Sequence, residues 1–221
     1  MKALIFDFDG VLIESEWVGN EQIARTLTAL GYPTTTEQAL EYFSGRGGRD
    51  FREALERYLG GAIPAAFDTQ RRAEDERVLT EGVPEVAGAV AFVRGLPPTL
   101  PRAIASSSTT RWIRTHLDHL GLRDAFEPHI YSGREHVARG KPAPDIYLHA
   151  ATQLDVAISG CVIIEDSLVG AEGAVASGAT VIGLAAGQHC GPDHGERLRA
   201  LGVQHVARSF DEIAALLQAT G

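Results

Sequence analysis

Short apolar runs recur along the chain at residues 3–6, 102–105, 129–131, 161–164 and 180–184, and polar or glycine positions follow closely behind each. Runs this short, apolar at successive positions instead of alternate ones, read as strands buried on both faces. Longer stretches of helical spacing lie between them. One covers residues 109–120 and stops at Gly121; another covers 168–177, with Ser167 as N-cap and Gly178 behind it. Strand and helix alternate, which predicts an α/β fold: a doubly wound parallel sheet with helices on both faces. Ligands bind such sheets outside the carboxyl ends of the strands, so the residues just after each strand are the ones to read for function.

Residues 15–82 break this rhythm. They carry helical patterns at 16–30, 36–43, 49–59 and 64–79, punctuated by Gly31, Gly45, Gly47, Gly48, Gly60 and Gly61, with no convincing strand. The division that follows is a catalytic core from residues 1–14 and 83–221 and an inserted helical cap domain at 15–82. The insertion begins just after the first strand, so it is expected to sit over that strand's end as a lid and to exclude water during one step of a reaction.

Composition narrows the function classes. A chain of 221 residues buries roughly 70% of its unfolded surface, enough for a substantial core. Its net charge of −9 and scattered arginines argue against nucleic acid as a partner. The apolar runs fall short of the ~20 residues that span a bilayer, and the first one meets Asp7 too soon for a signal peptide. Cys161 and Cys190 form no disulfide framework, and both are expected to be free thiols in a reducing, cytoplasmic compartment.

The strand ends carry the candidate chemistry. The first gives Asp7 and Asp9, one residue apart and followed by Gly10. Continued as a strand, these positions place two carboxylates on one face, where at about 4 Å and an effective dielectric near 20 they repel by roughly 4 kcal/mol. Such a pair needs a shared cation, or a proton held on one member for acid–base work. The second strand end gives Ser106-Ser107-Ser108-Thr109 at a helix start, which is either an anion seat or an ordinary N-cap. Next comes Gly140-Lys141-Pro142-Ala143-Pro144-Asp145, which holds one of only two lysines among 20 basic residues, ahead of a helix that Pro144 and Asp145 suit. A compact ammonium fixed there neutralises a carboxylate and a phosphate oxygen together; a plain surface lysine is the alternative. The fourth is Glu165-Asp166-Ser167. Solvated acids are common at helix starts. If the first and fourth strands are neighbours, however, Asp7, Asp9 and Asp166, with Glu165 nearby, form an oxygen-only set suited to Mg2+.

These four segments, in this order, resemble the signature of the haloacid dehalogenase superfamily, and the resemblance covers nearly the whole chain. It is nearest to the branch that contains sugar-phosphate phosphatases and β-phosphoglucomutase. It implies a Rossmann-like core with a helical cap and a phosphoric monoester hydrolase working on a small phosphorylated metabolite. Asp7 would be the nucleophile and Asp9 the acid and base, while Ser106, Ser107, Lys141 and Gly10 would receive the phosphoryl group. Mg2+ would be held by Asp7, Asp166 and the Asp9 main-chain carbonyl, with Glu165 acting through water. An acid at position 9 favours phosphate esters over carbon–halogen or carbon–phosphorus substrates. A phosphosugar mutase is the alternative within the class; a receiver-like phospho-acceptor switch and a silent scaffold are alternatives outside it. In the cap, Arg46 and Arg49 of Phe43-Ser44-Gly45-Arg46-Gly47-Gly48-Arg49 are candidate substrate contacts. A monomer or weak homodimer is expected.

The remaining polar clusters carry less. His116 and His119 share a helix face, and His189-Cys190 with His194 has the look of a soft-metal loop without a clear fourth ligand. Trp17 and Trp112 read as packing residues.

Overall fold

A computed structural model describes residues 1–46 and 48–219; Gly47, counted above in the glycine punctuation and in the cap loop, lies outside the described residues. The chain divides into two compact units, one formed by Met1–Glu14 with Pro84–Gly221 and the other by Ser15–Val83.

The first unit is a six-stranded parallel sheet flanked by helices. Its strands are β1 (Ala3–Phe6), β2 (Arg102–Ser106), β3 (Ile130–Ser132), β4 (Cys161–Glu165), β5 (Thr180–Leu184) and β6 (His205–Ala207), in the spatial order β3-β2-β1-β4-β5-β6. The second unit holds α1 (Ser15–Ala29), α2 (Thr36–Phe43), α3 (Gly48–Leu59) and α4 (Ala65–Glu81). The sheet's helices are α5 (Ala89–Gly95), α6 (Thr110–Leu120), α7 (Arg123–Phe126), α8 (Asp145–Gln153), α9 (Leu168–Ser177), α10 (His194–Ala200) and α11 (Phe210–Ala219).

All four residues of β1 and all five of β4 are buried, which explains their uniformly apolar sequence up to the final Glu165. Ile5, Ala103 and Ile163 pack with Ile146, Tyr147 and Ala150 of α8 and with Ala171 and Ala174 of α9. On the other face Phe6 meets Phe126 edge-on at 5.5 Å between ring centroids. Two helix starts are closed by their own side chains: the Thr109 hydroxyl accepts from Trp112 N, and the Ser167 hydroxyl accepts from Gly170 N. Gly121 and Gly178, both at positive φ, end those helices.

The strand order reverses at β1, with β2 and β3 on one side of it and β4, β5 and β6 on the other. That switch point is where a doubly wound sheet opens a crevice at its carboxyl edge. The first and fourth strands are therefore neighbours, as the acid set required.

The helical unit packs Ile23 and Leu27 of α1 with Ala39, Phe43, Leu55 and Phe67. Phe43 meets Tyr58 edge-on at 5.4 Å. Thr35 and Gln38 close the start of α2 as a reciprocal capping box.

Candidate active site

Strand register brings the site together. Phe6 pairs with Ile104 on one side and Ile164 on the other, so Asp7 leaves the sheet between the ends of β2 and β4. Its N–H still donates to Ile164 O at 2.9 Å. The chain then turns instead of extending: Gly10 has φ +79°, its N–H donates to Ile13 O at 2.8 Å, and Leu12 N–H donates to Phe8 O at 2.8 Å. Here the structure differs from the sequence expectation. Because β1 ends at Phe6, Asp7 and Asp9 follow the strand instead of lying within it, and their carboxylates have separate hydrogen-bond partners while the charge of Asp9 still acts on Asp7.

The Asp7 side is ionic and dry. Lys141 Nζ donates to Asp7 Oδ1 at 2.5 Å and to Glu165 Oε2 at 2.8 Å, with side chains 5%, 7% and 0% exposed respectively. Tyr147 OH, on α8, donates to the same Glu165 oxygen at 2.7 Å, and its ring lies 5.0 Å from Lys141 Nζ. Ser167 holds the other Glu165 oxygen through both N–H and hydroxyl, at 3.0 and 2.6 Å. Burial, reinforced by the charge of Glu165, pushes the Asp7 carboxyl well above the usual carboxylate range even though Lys141 opposes the shift. For Lys141 itself, burial works against the charged form, but Asp7 and Glu165 outweigh it and raise the ammonium's pKa. Each of Asp7, Glu165 and Asp166 offers a carboxylate oxygen within 4.8 Å of the others, all buried. Three acids against one ammonium leave negative charge that a hard divalent cation would balance, and the all-oxygen donor set fits such an ion. The Asp9 side chain is not a member of that group.

The Asp9 carboxylate turns toward β2 and α6. Ser108 Oγ donates to its Oδ2 at 2.6 Å, Ser106 Oγ approaches the same oxygen at 3.3 Å, and Trp112 Nε1 donates to Oδ1 at 3.0 Å. Trp112 is thus bonded to a site residue, which the packing reading missed; its place one turn into α6 gave no sequence signal. Ser107 is exposed at the mouth of β2.

The fourth segment has a role for Gly10. A Cβ there would overlap the Asp166 carboxylate and lie 3.1 Å from His189 Cε1. His189 Nε2 is 2.9 Å from Asp166 Oδ2, and His194 Nε2 donates to Asp166 O at 2.6 Å. These histidines direct ring nitrogens at Asp166, and the described residues hold no three-ligand His/Cys group that would sustain the soft-metal reading. His116 packs against Trp112 at 4.1 Å between ring centroids. In the helical unit, Arg46 Nη1, in the link between α2 and α3, is 3.0 Å from the Asp50 carboxylate and Arg49 Nε, on α3, is 2.6 Å from Glu53, both arginines being exposed.

The model of the haloacid dehalogenase-like hydrolases matches residues 1–178. The chain is 29% identical to hexitol phosphatase A of Escherichia coli, over 100% of this chain and 96% of that protein. It is 31% identical to the phosphorylated carbohydrates phosphatase of Thermotoga maritima, over 80% of this chain and 82% of that protein. A solved haloacid dehalogenase family hydrolase from Deinococcus radiodurans, with bound phosphate and sodium, superposes with a TM-score of 0.88 at 34% identity, covering 100% of this chain and 96% of that one. The chain belongs to the haloacid dehalogenase-like hydrolase family, and its enzyme class is that of the phosphoric monoester hydrolases.

Proposed function

We propose that this protein is a magnesium-dependent phosphatase that hydrolyses a small phosphate monoester, foremost a phosphorylated sugar or sugar alcohol, through an aspartyl phosphate on Asp7. The observation that carries this reading is the buried group of Asp7, Glu165 and Asp166 with Lys141 bridging two of its members. The names of the E. coli and Thermotoga relatives support the substrate class.

In the first half-reaction an Asp7 carboxylate oxygen bonds to phosphorus as the phosphorus–oxygen bond to the alcohol breaks, and protonated Asp9 gives its proton to the departing alkoxide. In the second, Asp9 takes a proton from a water that attacks the phosphorus, releasing phosphate and restoring the Asp7 carboxylate. Lys141 and Ser106 hold non-bridging phosphoryl oxygens, with Ser107 and Gly10 completing the seat. Magnesium, held by Asp7, Asp166 and the Asp9 main-chain carbonyl with Glu165 acting through water, would neutralise phosphate charge so that an anionic carboxylate can approach. The hydrogen bonds to Asp9 from Trp112 and Ser108 station the carboxylate beside the nucleophile's strand between the two transfers. The helical unit is the candidate cap domain, and its Arg46 and Arg49 are the candidate contacts for the rest of the substrate.

The chain's acidity argues against nucleic acid as a partner and its two free cysteines suit a reducing, cytoplasmic compartment; a monomer or weak homodimer without a membrane role belongs to the same proposal. Among the described residues no helix is long and apolar enough to cross a membrane.

The test is a panel of hexitol phosphates, hexose phosphates and phosphosugar acids, assayed with Mg2+ or with chelator for both free phosphate and isomerised sugar phosphate. Metal-dependent release of phosphate supports the proposal. Isomerisation without release would make the enzyme a mutase, and turnover of no ester would remove the catalytic reading.

A further inference from the structure

We propose that His189 and His194 are positioning residues that lock Asp166 in place and thereby set the protein's affinity for its divalent cation. The inference rests on the ion-dependent reading above and deepens it.

Two imidazoles from one segment reach a single acid by different atoms. His189 Nε2 donates to the Asp166 carboxylate at 2.9 Å, with both side chains buried. His194 Nε2, at the start of α10, donates to the Asp166 main-chain carbonyl at 2.6 Å. One contact fixes the rotation of the carboxylate, and the other fixes the backbone that carries it. The local sequence makes room for this. A Cβ at Gly187 would lie 2.5 Å from His189 Cε1 and 2.6 Å from its Nδ1, so only glycine at 187 lets the ring lie where it does. A Cβ at Gly10 would likewise lie 3.1 Å from His189 Cε1. The segment is also tied down: Gln188 N–H donates to the Glu14 carboxylate at 3.0 Å, and Cys190 N–H donates to Gly187 O at 2.9 Å. Glu14 directly follows the turn that Gly10 N–H closes onto Ile13 O, so the histidine segment is tied to the residue next to that turn.

A nitrogen that donates its proton to an acid is not a metal ligand. The Nε2 atoms of His189 and His194 are both engaged with Asp166 and so support a ligand instead of ligating. Donors behind a ligating carboxylate hold it in the coordinating orientation, and losing one weakens metal binding by roughly 10–100-fold.

The experiment is Mn2+ binding to the whole protein, followed by electron paramagnetic resonance with Mg2+ as competitor, and read beside kcat at saturating metal. His189→Phe keeps a ring against Gly10 and Gly187 but removes the donor; its affinity for Mn2+ and Mg2+ should fall by about 10–100-fold while kcat at saturation stays near wild type. His189→Gln, whose amide reaches the position of Nε2, should restore most of the affinity. His189→Asn, polar but too short to reach Asp166, should bind as weakly as the Phe variant and serves in its place if that variant fails to fold. Unchanged affinity in the Phe and Asn variants, or a folded Gln variant no tighter than they are, overturns the proposal. A wild-type protein that binds no Mn2+ or Mg2+ overturns instead the ion-dependent reading on which it stands.

Discussion

Replacing Lys141 with methionine keeps the stem that fills the pocket and deletes the charge shared by Asp7 and Glu165. Two like charges at the group's limiting separation of 4.8 Å repel by about 3.5 kcal/mol at an effective dielectric near 20. Breaking a buried ion pair from one side costs about 3–5 kcal/mol, the same scale. For a chain of this length that loss lowers Tm by about 6–20 °C in the absence of metal. The sign of its pH dependence follows from Asp7, whose carboxyl is already pushed up by burial and by Glu165. A carboxyl whose folded-state pKa lies above its unfolded value stabilises the protein below the unfolded value and loses that contribution as pH rises through the folded value. Without Lys141 the upward push grows, so the variant's deficit is larger at pH 8 than at pH 5, where a proton takes the lysine's place. Mg2+ should restore more stability to the variant than to wild type. Urea unfolding at both pH values, with chelator or Mg2+, measures each of these. An equal deficit at both pH values, with no added response to Mg2+, would refute the charge-balance argument.

Trp112→Phe removes the N–H donor from Asp9 Oδ1, a bond to a charged group worth about 1.5–3 kcal/mol; steady-state kinetics should show kcat reduced by about tenfold or more, and an unchanged kcat would leave Trp112 a packing residue. His116 is buried, neither ring nitrogen has a hydrogen-bond partner among the described residues, and burial lowers its pKa to about 4 from 6.5. The native state therefore refuses a proton that the unfolded chain accepts below pH 6.5, so stability falls as pH drops through that window, by about 2 kcal/mol between pH 7 and 5. His116→Leu should flatten that part of the stability–pH curve in chemical unfolding, and an identical slope would show that another group supplies it. Gly10→Ala places a Cβ against Asp166 at a φ of +79° and should cost at least about 1–2 kcal/mol of stability together with metal affinity, both read by thermal melts with and without Mg2+.

Much of this architecture was legible in the chain because the inner strands are buried on both faces, and so read as bare apolar runs. Thr36–Phe43 and Leu168–Ser177 were readable to the residue, the second because Ser167 and Gly178 bracket it. β6 was not, since three residues, two of them only half buried, carry no periodicity. The four-residue α7 was missed for the same reason, and α10 follows a Gly/Pro/His-rich stretch that looks like loop. Lys141, Glu165 and Asp166 stood out as charges interrupting apolar or proline-fixed segments. Ser108, Trp112 and Tyr147 did not, because what makes them part of the site is distance in space; nor did His189, which meets Asp166 only in the fold. Trp112 reaches an acid more than a hundred positions earlier, and His189 reaches across the ends of β1 and β4. The Asp-x-Asp pair itself lies just past the regular strand, because β1 stops at the residue before the first acid.

Covalent phosphorylation of Asp7 is the claim on which the chemistry rests. The most direct measurement is rapid quenching of the wild-type enzyme during turnover of a phosphorylated sugar, reduction with tritiated borohydride, and peptide sequencing of the labelled product. An acyl phosphate at position 7 is reduced to labelled homoserine in the N-terminal peptide, and this is the expected result. Label at another residue, or none while phosphate is still being released, would contradict the account.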